Sequence, residues 1–187
     1  MDVEPQTARF RSEVSPEGYR TVIPARRNGL IVVLLCAWLT GWAFGEFSVA
    51  SQLFTDAHPA PTAFLSLWLI FWTIGGAVVA ATILWQLFGR EVLLLGATKL
   101  SYRTEVLGLG RTRSFRIAEV KDLRTTGHIF PTFRYQRGWL PPLTGSGMGP
   151  IAFDYGARTF RFGSALDEVE AKMLVKELAA RLPGGSP

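Results

Sequence analysis

Residues 29–89 carry only two formal charges, Glu46 and Asp56, while all 20 lysines and arginines of the chain lie outside them. A helix wetted on one face needs charge on that face, and a stretch this long with two acids cannot supply it. Two apolar runs divide the stretch. Residues 30–54 open with Leu30-Ile31-Val32-Val33-Leu34-Leu35 directly after Arg26-Arg27-Asn28, and residues 63–88 hold no charge and stop at Arg90-Glu91. Each exceeds the roughly 20 apolar residues that span a bilayer. The segment Thr55-Asp56-Ala57-His58-Pro59-Ala60-Pro61 between them reads as a short turn. The expectation is a transmembrane helical hairpin over residues 23–89.

Five basic residues precede the first apolar run, 15 follow the second and none lies in the connecting loop. By the positive-inside rule the loop is outside and both termini are cytoplasmic, in a multi-pass arrangement. Trp38, Trp42, Trp68, Trp72 and Trp85 lie in the spans, with Trp68 and Trp85 near their ends, where an indole suits the interface. A cleaved secretory signal is the competing reading of the first run, since Ser48-Val49-Ala50 resembles a cleavage site. The polar, partly acidic residues 1–28 are too long for a signal's basic leader. The single cysteine, Cys36, permits no internal disulfide. With only His58 and His128 besides, no metal or cofactor is expected.

Gly41 and Gly45 stand at Gly-x-x-x-Gly spacing, and the second run offers Gly75, Gly76, Ala77, Ala80 and Ala81. Small residues let helix backbones approach closely in lipid, so a tight hairpin packed through Gly41, Gly45, Gly75, Gly76 and Ala80 is expected. Glu46 is the one acid inside a span and follows Trp38 and Trp42 at intervals of four, on one helix face. An intramembrane carboxylate is a functional candidate, but at about 1.5 Å per residue from Arg27 it falls near the outer interface. A structural anchor bonded near Ser51 and Gln52 is set against proton or partner chemistry.

From Glu91 the pattern changes to short strands: residues 91–95, 99–107, 112–117, 120–126, 151–155 and 159–162, with a turn at Gly108-Leu109-Gly110. In the second, Leu100, Tyr102, Thr104 and Val106 share one face and Lys99, Ser101, Arg103 and Glu105 the other. A closing helix is expected with Ser164 as N-cap, acids in its first turns and an apolar stripe through Leu166, Val169, Met173, Leu174, Leu178 and Leu182, stopped by Pro183-Gly184-Gly185.

In Glu91-Val92-Leu93-Leu94-Leu95, Leu100-Ser101-Tyr102-Arg103, Arg113-Ser114-Phe115-Arg116-Ile117 and Phe160-Arg161-Phe162-Gly163, leading into Leu166-Asp167-Glu168-Val169-Glu170-Ala171, the chain resembles bacterial membrane proteins in which two helices precede a pleckstrin-homology-like domain. The resemblance implies a membrane α-hairpin plus an α+β unit, an antiparallel β barrel or sandwich with one C-terminal helix over residues 90–183, in the bacterial inner membrane. It implies a location and a fold more than an activity. Residues 1–22 are expected to be a disordered cytoplasmic tail, and residues 184–187 a short end.

Residues 127–150 depart from a compact domain of this kind. Phe133, Arg134, Tyr135, Arg137 and Trp139 interleave cations with aromatics and, with Arg111, Arg113 and Arg116, are candidate contacts for a partner or lipid. The glycine-rich 145–149 run lacks the strand-to-helix setting of a phosphate loop. No grouping of nucleophile, base and orienter is visible, so a non-enzymatic scaffold or accessory subunit is expected, with membrane lipids and a membrane-protein partner or self-association, and no nucleic acid. The residues from 89 to 187 carry 15 basic and nine acidic side chains, net +6, which suits an anionic leaflet or acidic partner. The alternative is an oligomeric small-molecule or ion-handling protein using Glu46 and the outer loop.

Overall fold

The computed structural model describes residues 8–53, 62–126 and 149–182. Two strands come first, β1 (Arg11–Ser15) and β2 (Gly18–Pro24). The helices α1 (Gly29–Leu53) and α2 (Thr62–Phe88) follow. The chain then forms β3 (Gly89–Leu95), β4 (Lys99–Val106), β5 (Leu109–Arg116), β6 (Val120–Thr125), β7 (Ile151–Tyr155), β8 (Arg158–Phe162) and α3 (Glu168–Ala179).

At 25 and 27 residues α1 and α2 are long enough to cross a membrane, since about 20 apolar residues suffice. Their apolar surface is uncovered: Phe44 is 75% and Phe71 67% exposed, which no core helix of a water-soluble protein would be. Length, composition and exposure together fit a membrane hairpin.

The expected disordered tail is corrected from Arg11 onward. In β2, Tyr19, Thr21 and Ile23 are buried while Arg20 and Val22 are less so, the period of two that a half-buried strand requires. β2 pairs antiparallel with β3 across the hairpin, Thr21 opposite Leu93 and Pro24 opposite Arg90. β1 is a polar edge strand, with Arg11 opposite Val22 and Ser15 opposite Gly18. The hairpin is thus inserted within a sheet rather than placed before a domain, and Ile23, expected in the hairpin, is a core residue at 1% exposure.

The order β1-β2-β3-β4-β5 makes one five-stranded antiparallel sheet and β6-β7-β8 a second of three strands. The sheets remain separate and no barrel closes among the described residues. Between them and α3 lies one core, built on Leu93, Tyr102, Phe115, Phe153, Phe162 and Leu174. Phe115 meets Phe153 edge-on at 5.1 Å between ring centroids.

α3 starts later than expected. Asp167, not Ser164, is its N-cap: the Glu170 N–H donates to Asp167 Oδ1 at 2.8 Å, and the Asp167 N–H donates back to Glu170 Oε2 at 3.0 Å. Glu170 Oε1 also accepts the Arg9 N–H at 2.8 Å, while Glu177 takes the Tyr19 hydroxyl and Arg181 lies 3.9 Å over the Tyr19 ring. The last helix therefore clasps the first strands.

The β4–β5 turn is at Leu107-Gly108, earlier than expected, because Leu107 takes positive φ and Val106 pairs directly with Leu109. The outer face of β4 departs at one place. Glu105 is 5% exposed, held between the Arg90 and Arg103 guanidinium groups.

Candidate functional site

The hairpin and the sheet meet without a linker. α2 ends at Phe88 and β3 opens at the next residue, Gly89, and four residues separate Pro24 from Gly29. The Ala25 N–H donates to the Gly89 carbonyl at 2.9 Å, tying the two chain crossings together. Trp85, 1% exposed, lies over Gly89 so closely that any Cβ there would collide with its ring and carbonyl. Trp85 is thus a buried joint between hairpin and sheet, not the interfacial ring expected from its position. The next residue, Gln86, is fully buried, and its side-chain amide has no hydrogen-bond partner among the described residues.

Register places the start of β1, the ends of β2 and β4 and the starts of β3 and β5 at this same end of the sheet. An open cleft of about 1430 Å³ lies there. Its rim carries Arg9, Arg11, Arg26, Arg27 and Arg90, and its apolar lining includes Leu87, Phe88 and Leu107. No acid lines it among the described residues. Arg90 is held by Glu105, whereas the guanidinium groups of the other four are in no ion pair among the described residues. Asn28 caps α1 at the cleft, its Oδ1 accepting the Ile31 N–H at 3.3 Å. The sequence separates these arginines by up to 81 positions, and only the pairing of β2 with β3 gathers them.

Glu91 ties the same end of β3 to the turn between β8 and α3. At 2% exposure its carboxylate accepts the Gly163 N–H at 2.7 Å, the Ser164 N–H at 3.1 Å and the Ser164 hydroxyl. Ser164, expected to cap α3, is spent here instead. Neighbouring Tyr102 is held neutral, its phenol pushed far above the usual range by burial first and by the Glu91 charge second.

Within the hairpin the contact is made by tryptophan on glycine rather than glycine on glycine. Trp42 lies against Gly75 and Gly76, where a Cβ would come within 3.0 and 3.1 Å of its ring, and Trp72 lies against Gly45 at 3.5 Å. Gly41 has open space in front of it, so it is corrected as a packing residue. Ala80, half-buried on α2, appears in none of these tryptophan contacts. Trp42 Nε1 donates to the Trp72 carbonyl at 3.1 Å and Trp72 Nε1 to the Trp42 carbonyl at 3.2 Å, with the rings stacked 3.8 Å apart. Trp68 extends the stack beyond Trp72 and Trp38 meets Trp42 at a 46° tilt, each 4.3 Å from its neighbour. Glu46 reaches the other helix, the Thr73 hydroxyl donating to its Oε1 at 2.5 Å.

Arg111, Arg113 and Arg116 lie along β5, the edge strand of the larger sheet opposite β1. Arg116 pairs with Glu119 at 2.7 Å, and its guanidinium is held above its ordinary value by Tyr155 first and Glu119 second. None of the three lines the cleft. Phe133, Arg134, Tyr135, Arg137, Trp139, Asp56, His58 and His128 lie outside the described residues. The flanks of the inserted segment are described: the Thr126 N–H donates to the Pro150 carbonyl at 2.7 Å, so the excursion leaves and returns at one point of the β6–β7 pair.

No protein-family model, curated protein or solved structure matches the chain.

Proposed function

We propose that this chain is a non-enzymatic, membrane-anchored scaffold or accessory subunit of a membrane protein complex. Its hairpin spans the bacterial inner membrane with both termini cytoplasmic, and its basic β domain, of pleckstrin-homology-like character, binds a protein partner or anionic lipid. The observation that carries the reading is the insertion of the hairpin into the five-stranded sheet. With α2 continuous into β3 and the β2 end joined to Gly89, the domain is held against the bilayer in one orientation. A domain so fixed presents the same surfaces to every neighbour in the membrane, at little orientational cost on binding. The charge distribution supports the orientation, with basic residues on both flanks and none between.

The reading is tested by photo-crosslinking from Lys99 and Arg116 in native membranes, followed by purification in mild detergent, with full-length protein and a variant lacking residues 130–149. A stoichiometric membrane-protein adduct, weakened by the deletion, is expected. A chain that purifies alone and by itself turns over or transports a solute would overturn the reading.

A further inference from the structure

The structure assigns the arginine-rimmed cleft at the hairpin–sheet junction to the phosphate headgroup of an anionic phospholipid from the leaflet the domain faces. This deepens the function proposed above and rests on its placement of the hairpin in a bilayer.

Charge is the first argument. Arg9 and Arg11 come from the β1 end of the chain, and Arg26 and Arg27 from the link into α1. None of their guanidinium groups is neutralised by a carboxylate among the described residues. Guanidinium groups at spaced positions around an open cleft suit a phosphodiester, which they bind through paired N–H donors. The start of α1 adds the positive end of a 25-residue helix at the same place.

Shape and polarity decide between a lipid and free phosphate. The cleft, at about 1430 Å³, exceeds the roughly 300–1,000 Å³ of small-molecule pockets and is far larger than one phosphate needs. Leu87 and Phe88 on its lining are the last residues of the apolar span, and Phe88 is 47% exposed. Leu107, at the hairpin tip on the other wall, is 65% exposed. An amphipathic ligand satisfies both halves at once, with its phosphate among the arginines and its glycerol and upper acyl carbons on the apolar part.

Depth agrees. Arg26 and Arg27 stand immediately before a membrane span and Arg90 immediately after one, the level at which headgroup phosphates lie.

The test uses the full chain in detergent, titrated with phosphatidylglycerol, phosphatidylcholine or inorganic phosphate and read by native mass spectrometry. Phosphatidylglycerol is expected to be retained well above phosphatidylcholine. Each arginine near an anionic headgroup is worth about fivefold in affinity. Arg11→Gln with Arg27→Gln should therefore weaken phosphatidylglycerol retention about 25-fold, while Lys99→Gln with Arg158→Gln, equal in charge but away from the cleft, should not. Arg9→Gln with Arg26→Gln repeats the test if the first pair alters the unfolding temperature. Equal retention of the two lipids, equal loss in the cleft and control pairs, or displacement of bound lipid by millimolar phosphate would each overturn the assignment. Partner crosslinking read on the same variants separates this failure from that of the scaffold reading, since a scaffold without a lipid site still captures its protein partner.

Discussion

Trp42 and Trp72 exchange hydrogen bonds, each indole N–H donating to the other's backbone carbonyl while the rings stack at 3.8 Å. The arrangement relates α1 and α2 by an approximate two-fold. It also satisfies two polar donors within helices apolar enough to cross a membrane, a setting in which an unpaired N–H is costly. Replacing either tryptophan by phenylalanine keeps most of the ring contact and removes one bond, a loss of about 0.6 kcal/mol. Alanine loses the stack too, and a double-mutant cycle should show coupling of about 1 kcal/mol. Reversible unfolding in mixed micelles measures it, and additive single effects would sink the clasp as a coupled unit.

The same interface sorts the glycines. Gly76→Leu must displace the Trp42 ring, which lies 3.1 Å from the position of a Cβ, and should cost about 1–3 kcal/mol. Gly41→Leu enters open space and should stay within about 0.5 kcal/mol. Equal destabilisation by the two would restore the Gly-x-x-x-Gly reading of the sequence.

Glu91 is the polar latch between β3 and the β8–α3 turn. Glu91→Gln puts an amide NH₂ against at least one of three donors, Gly163 N–H, Ser164 N–H or the Ser164 hydroxyl. A loss of about 3 kcal/mol is expected, visible as a lowered unfolding temperature. Ser164→Ala removes only one donor and should cost about 1 kcal/mol.

Alkaline stability follows from Tyr102. Its folded-state phenol is raised by burial and by Glu91, whereas in the unfolded chain it ionises near 10.0. The folded state therefore holds a proton that the unfolded state releases, and stability falls as pH rises above that value. The hydroxyl lies beside Thr104 and Glu91 without a well-aligned hydrogen-bond partner among the described residues. Tyr102→Phe should therefore abolish this alkaline component and leave neutral-pH stability unchanged or slightly higher. Asp154 acts in the opposite sense. Arg124, then Thr159, hold its carboxyl below the usual carboxylate range, so its contribution is present above that range and is lost as pH falls. Denaturant melts of wild type and Tyr102→Phe across pH 8–11 decide the point.

The two spans were legible because lipid demands long uncharged runs, a signal that needs no knowledge of partners. Strands β3 to β8 were legible from alternation and glycine turns. The N-terminal strands were missed because β1 is polar on both faces, with Val14 at 84% exposure, and its partner strand is brought beside β3 only by the hairpin. For the same reason the cleft was unreadable: Arg11 and Arg90 are remote in sequence, and no local period marks them as neighbours. Glu105 looked like an outward polar residue because alternation reports a face, not whether two arginines cover it.

The N-terminal strands also give the sharpest prediction about the architecture. A variant starting at residue 23 would be harmless if the preceding residues were a tail. In the folded chain it removes β1 and most of β2, uncovers the hydrogen-bonding edge of β3, and deletes Phe10 and Tyr19 from the core. Burial of such side chains is worth about 1.5–3 kcal/mol each, against a total domain stability of about 5–15 kcal/mol. It also strips Glu170 and Glu177 of their bonds to Arg9, Ser12 and Tyr19. The truncated protein should still insert its hairpin, because the spans are intact, yet be cleaved by protease within the β domain and aggregate through the bare β3 edge. Limited proteolysis of membranes carrying the two forms reads this directly. A truncated form as resistant as the full chain would mean that the N-terminal strands are not part of the unit that holds the β domain together.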